Sequence, residues 1–121
     1  MAAKLKKSPT LLEACYEFAQ ALENIIFEGI DIPYDIVLSN TLKVSGLFTG
    51  SIEIDQYEKV KRIGRIKIGL KQNINLYHVL ETLAHELIHA KQYADGLEVN
   101  HGKSFKYWRR KIKKQFNIDI L

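Results

Sequence analysis

A chain of 121 residues and 14.0 kDa has room for one compact domain. Its 46% hydrophobic and 26% charged residues match a folded globular protein, and no run approaches the roughly 18 apolar residues of a membrane helix. The net charge of +4 is unevenly spread: residues 1–58 carry 4 lysines against 9 acids, residues 59–121 carry 14 Lys+Arg against 5 acids. The basic half points to a polyanionic partner, with nucleic acid the first choice and an ordinary lysine-rich surface the alternative.

Met1–Ser8 is basic but leads into no apolar stretch or cleavage site. No secretory signal is expected, and an intracellular setting (cytoplasm, nucleoid or nucleus) away from membranes follows. Ser8-Pro9 reads as an N-cap with proline in the first turn. Leu11, Ala14, Cys15, Phe18, Leu22, Ile25 and Ile26 then recur at helical spacing from Thr10 to Glu28, and Gly29 closes the helix. Cys15 falls in that stripe and reads as an inert buried thiol. As the single cysteine it excludes an internal disulfide and a cysteine-based zinc site within these residues.

The period then changes. Tyr34–Leu38, Ser45–Phe48 running through Gly50 into Ile52–Asp55, and Arg65–Leu70 read as three or four short strands with one solvated face, antiparallel or mixed. The charged stretch Gln56–Gly64 reads as a turn. Asn73 or Asn75 can cap a second helix ending near Asp95-Gly96, with Leu76, Leu80, Leu83, Leu87, Ala90 and Ala94 as its buried stripe. Lys103 to Phe116 reads as a third helix. Phe105, Trp108, Ile112 and Phe116 turn inward on it, while Lys103, Lys106, Arg109, Arg110, Lys113 and Lys114 point elsewhere. The whole is expected to be one α+β domain spanning residues 1–121.

Chemistry is concentrated in His85-Glu86-Leu87-Ile88-His89, an H-E-x-x-H on the second helix. Histidines four apart lie one turn apart on the same face, so both imidazoles can reach one ion, and Glu86 lies beside that face. A catalytic zinc needs a third protein ligand and an open position. His78 sits two turns upstream of His85, too far to share the ion, and reads as an ordinary exposed residue. His101 follows the Asp95-Gly96 turn, which can bring Asn100-His101-Gly102 back over the metal face, and is the expected third ligand. Asp95, Glu98 and Asn100 are candidates for holding the ligand imidazoles from behind. Tyr93 and Tyr107 are candidate oxyanion donors, although packing or surface roles suit both better. Phe105 and Trp108 read as core residues, not base-stacking platforms.

These residues resemble the metalloprotease domain of the SprT-like family. The resemblance runs from Ser45-Gly46 through Ile66-Lys67-Ile68 and Leu80-Glu81-Thr82-Leu83-Ala84 to the H-E-x-x-H, then to His101-Gly102-Lys103-Ser104-Phe105 and Trp108. It implies a minimal zincin-type fold, zinc held by His85, His89 and His101, and Glu86 as the catalytic base in peptide-bond hydrolysis. Many members carry a cysteine-rich zinc ribbon, which these residues lack. DNA recognition through such a module is therefore not implied, and the basic third helix is the candidate replacement. Zincins lay substrate along a sheet edge, for which Arg65–Leu70 is the expected strand. Three functions stay open at this point. They are a DNA-associated zinc protease cleaving proteins bound or crosslinked to DNA, a DNA-independent protease with a dedicated protein substrate, and a nucleic-acid-binding module with a structural metal.

Overall fold

The computed structural model describes residues 9–121. The expected Ser8 cap lies outside them. Thr10 caps the first helix instead: its hydroxyl accepts from the Glu13 backbone N–H at 3.1 Å, and the Glu13 carboxylate accepts from the Thr10 N–H at 3.2 Å. Thr-x-x-Glu is a capping box, and it moves the start of helix α1 to Leu11, so that Pro9 precedes the cap. Helix α1 (Leu11–Leu22) runs into a π-helical turn, Glu23–Phe27, which ends on left-handed residues at Glu28 and Gly29. The extra residue per turn carries Ile25 out to solvent, while Ile26 and Phe27 stay in the core. Glu23 then anchors the exit, accepting from the Ile30 N–H at 3.0 Å and from the Tyr34 hydroxyl at 2.6 Å.

Three strands follow: β1 (Tyr34–Ser39), β2 (Gly46–Ile54) and β3 (Val60–Gly69), in the order β1-β3-β2. The sheet is mixed, with β1 parallel and β2 antiparallel to β3. The turn is shorter than its charges suggest. Asp55 closes it by accepting from the Tyr57 and Lys59 N–H groups at 2.8 and 2.9 Å, and residues 60–64 join β3. Beyond the reach of β1, β2 and β3 continue as a two-stranded arm with Ile52, Ile54 and Val60 exposed. The expectation that Arg65–Leu70 forms the free edge is overturned. That segment lies in β3, with a partner on each side, and the strand on the helix side with an open edge is β2. Alternation along a strand reports which face is wet, not where the strand stands in the sheet.

Asn75 caps helix α2 (Leu76–Ala94), accepting from the His78 N–H at 2.9 Å. The stripe it buries is Val79, Leu83, Ala84, Leu87, Ile88 and Ala90; Leu76 is exposed and Leu80 and Ala94 only partly covered. The other candidate cap, Asn73, is a brace. Its amide donates to the carbonyls of Ser45 at 3.0 Å and Gly69 at 2.7 Å, and its oxygen accepts from Thr82 at 2.6 Å. One side chain thus ties the start of β2, the end of β3 and α2 together. Helix α3 (Lys103–Phe116) seals the core with Phe105 and Ile112, while Trp108 packs edge-on to Phe27 at 5.1 Å and Phe116 edge-on to Phe18. After left-handed Asn117, the segment 118–121 folds back with Ile118 and Ile120 buried. Cys15 lies fully buried and free, and burial pushes its thiol pKa up. Among the described residues no helix is long and apolar enough to cross a membrane.

Candidate metal centre

Helical spacing puts His85 and His89 on one face of α2, and the loop ahead of α3 lays His101 against them. The three Nε2 atoms form a triangle with sides of 3.1, 3.2 and 3.3 Å. A tetrahedral ion with nitrogen ligands at about 2.0–2.1 Å holds those nitrogens about 3.3–3.4 Å apart, so the triangle fits one such ion. The Nδ1 of His85 donates to the main-chain carbonyl of Leu121 at 2.7 Å, and the Nδ1 of His89 to the Gln92 side-chain oxygen at 2.9 Å. Both bonds leave the Nε2 lone pairs bare and converging. Phe105, four residues after His101, floors the site, with its ring centroid 4.8, 5.3 and 4.8 Å from those of His85, His89 and His101.

Electrostatics favour the neutral ligand form. Burial, with the neighbouring His89 second, pushes the His85 pKa down to about 4 against the opposing pull of the Leu121 carbonyl. Burial also lowers that of His89. Metal ligation requires the deprotonated nitrogen, so His85 and His89 need little proton displacement at neutral pH.

Glu86 is 6% exposed. Burial drives its carboxyl up to about 7, opposed by a hydrogen bond from the Phe48 backbone on β2. It lines a cleft of about 400 Å³ together with Ser45, Gly46, His78, Thr82 and His85. Gly46 makes this approach feasible. A Cβ there would lie 2.5 Å from the Thr82 methyl and 2.8 Å from Glu86 Oε2, so only glycine lets the strand close on the helix.

Of the four residues expected to carry chemistry, His85, His89 and His101 are brought together at one place, and Glu86 lines the adjoining cleft with His85. His78 lines the cleft but stands outside the histidine triangle. The candidate partners behind the ligands are corrected. Asp95 pairs with Lys91, Glu98 is exposed, and Asn100 bonds no imidazole. Gln92 and the Leu121 carbonyl hold the rings instead. The sequence signal for Gln92 was an amide three residues past a ligand histidine on an otherwise buried stretch. A main-chain carbonyl leaves no such signal. Tyr93 lays its ring against Gly50 and donates to the Ser51 carbonyl at 3.3 Å, and Tyr107 is exposed beside Trp108. Neither lines the cleft.

Of the six basic residues singled out on α3, Lys103, Lys106, Arg110, Lys113 and Lys114 are exposed and Arg109 half-buried. Arg109, Arg110, Lys113 and Lys114 line a second groove of about 450 Å³ with residues 118–121. Leu121 borders both this groove and the cleft. Lys113 pairs with Asp119 at 2.8 Å. Lys111 is on another side, over the Tyr107 and Trp108 rings.

Comparison with known proteins gives one family and one relative. A family model described as the SprT-like family matches residues 15–120. Over 56 residues, 46% of this chain, the sequence is 39% identical to germ cell nuclear acidic protein of Homo sapiens. That match spans 8% of the human protein. No solved structure matches the chain.

Proposed function

The chain belongs to the SprT-like family, and from that premise we propose that it is a zinc-dependent metallopeptidase of minimal zincin-type architecture, cleaving proteins bound or crosslinked to DNA. The observation that carries the reading is the convergence of three imidazole Nε2 atoms, one of them on His85, which lines an open cleft together with the buried Glu86. His85, His89 and His101 would hold the zinc. When bound there, zinc supplies a Lewis acid that acidifies water and polarises a carbonyl oxygen. Glu86 is the catalytic residue: a carboxylate oxygen accepts the proton of the attacking water and returns it to the leaving amine nitrogen. Gly46, whose missing methyl leaves room for the Glu86 carboxylate, sets how closely β2 approaches it. The open edge of β2, which borders the cleft at Ser45 and Gly46, is the strand on which an extended peptide would add.

A structural-metal module fits poorly. Such sites use four protein ligands, and the cluster found among the described residues has three, with an acid beside it. Association with DNA rests on the cations of α3 and the groove they share with residues 118–121, which adjoins the cleft at Leu121. An intracellular, DNA-containing compartment follows from that role.

Metal analysis together with cleavage of a DNA-bound protein, with and without DNA, tests the proposal. The wild type should hold one zinc and cleave faster with DNA. Glu86→Gln should keep the zinc and lose on the order of 10²–10⁴ in rate, because an amide cannot take the proton. An active Glu86→Gln protein overturns the mechanism. Cleavage indifferent to DNA transfers the reading to a protease with a dedicated protein substrate.

A further inference from the structure

We infer that Gln92 is the positioning residue of the metal centre: one amide sets the tautomer of His89 and fixes the loop that delivers His101. The inference rests on the metal-binding reading above. Gln92 is fully buried, yet every polar atom of its amide is used. Its nitrogen donates to the Asn100 carbonyl at 2.9 Å and to the Ser104 hydroxyl at 2.8 Å, and its oxygen faces His89 Nδ1 at 2.9 Å.

These bonds determine one another. A carbonyl can only accept, so Asn100 forces the NH₂ end of the amide toward itself. The oxygen end is then left for His89, and oxygen can only accept, so His89 must carry its proton on Nδ1. Nε2 is thereby deprotonated and aimed at the other two imidazoles, 3.2 Å from His85 and 3.3 Å from His101. Asn100 and Ser104 bracket His101-Gly102, so the same NH₂ group grips the loop on both sides of the third ligand. A leucine or methionine would fill the volume as well but could do neither task. His85 differs, because its partner is a main-chain carbonyl that any residue at position 121 would supply. At residue 92 it is therefore the chemistry of the side chain, and not its volume alone, that sets ligand geometry.

The test measures zinc affinity by competition with a chromophoric chelator, the visible spectrum of the cobalt-substituted protein, and the fold of the metal-free protein by circular dichroism. Wild-type protein that binds no zinc defeats the metal reading itself. Given zinc binding by the wild type, Gln92→Met should weaken it about 10–100-fold and alter the cobalt spectrum. Gln92→Glu keeps an acceptor toward His89 but loses both donations to the loop, so it should keep the His89 proton on Nδ1 while binding zinc more weakly than wild type. A packing role predicts instead that methionine, which fills the same volume, is tolerated. Unchanged affinity in Gln92→Met overturns the inference. One measurement needs no variant: the imidazole ¹⁵N spectrum of metal-free wild type should show His89 protonated on Nδ1. A proton on Nε2 overturns it equally.

Discussion

The two faces of α3 are built on different physics. The inner face holds Phe105, which touches all three ligand rings, and Ile112, both without solvent exposure to speak of. The outer face holds mostly exposed cations, of which Lys113 pairs with Asp119. Position on the inner face is over-determined by packing, so a change there moves neighbours. On the outer face, function depends on summed charge and tolerates a moved side chain. Exposed ion pairs such as Lys113–Asp119 contribute little to stability. The contrast separates what builds the metal centre from what would bring a polyanion to it.

The inner face should show the largest effect. Phe105→Ala removes the floor of the triad and should destabilise the fold by about 3–5 kcal/mol in chemical denaturation, with zinc affinity falling as well. A Phe105→Ala protein of wild-type stability and metal content would break the contrast at once. His101→Ala should lower zinc affinity by more than the roughly 10–100-fold that losing an outer partner costs. His78→Ala, in the same cleft but outside the triangle, should leave it unchanged, and full zinc content in His101→Ala would remove that residue from the site.

The outer face should respond in the opposite way. Reversing Arg109, Arg110 and Lys113 to Glu should abolish DNA binding in a gel-shift or anisotropy titration while zinc content stays intact. With about four to six phosphate contacts, the wild type should show a log K against log salt slope of roughly −4 to −5 on duplex. A flat salt dependence, or unchanged affinity in the triple variant, would reduce the outer face to a solvated surface. The smallest effect lies at the start of α1. Thr10→Ala removes one half of the capping box and should cost about 1 kcal/mol, with zinc and DNA binding untouched.

Sequence alone made the centre more legible than the sheet, for a physical reason. His85 and His89 are tied by helical period, a local geometry that holds wherever the helix packs. His101 was reachable because Asp95-Gly96 marks a reversal and the His-Gly-x-x-Phe spacing resembles a family pattern; Gly96 does adopt a left-handed φ of 74°. Strand order has no such local signature. The alternation in Arg65–Leu70 identified a strand correctly but could not say that β1 pairs with it in parallel and β2 against it. The buried stripe of α2 departs from the leucine spacing because packing covers Val79, Ala84 and Ile88 more completely than Leu76. The hydrogen bond behind His85 is illegible in the sequence because the Leu121 carbonyl reaches it only through the fold-back after α3.

Gly46 has a bearing on how such a chain can drift. It touches no metal ligand, carries no charge and is only partly covered, which are the marks of a position open to neutral change. Yet the space its missing methyl would need is already taken by the Glu86 carboxylate and the Thr82 methyl. A single-nucleotide step from glycine to alanine would therefore push the strand off the helix, or the carboxylate off its place, with the histidine triangle intact. A lineage that lost activity this way would keep its metal-binding residues and its fold. The inactivity would be readable in its sequence only at a glycine 40 residues upstream of the acid it displaced.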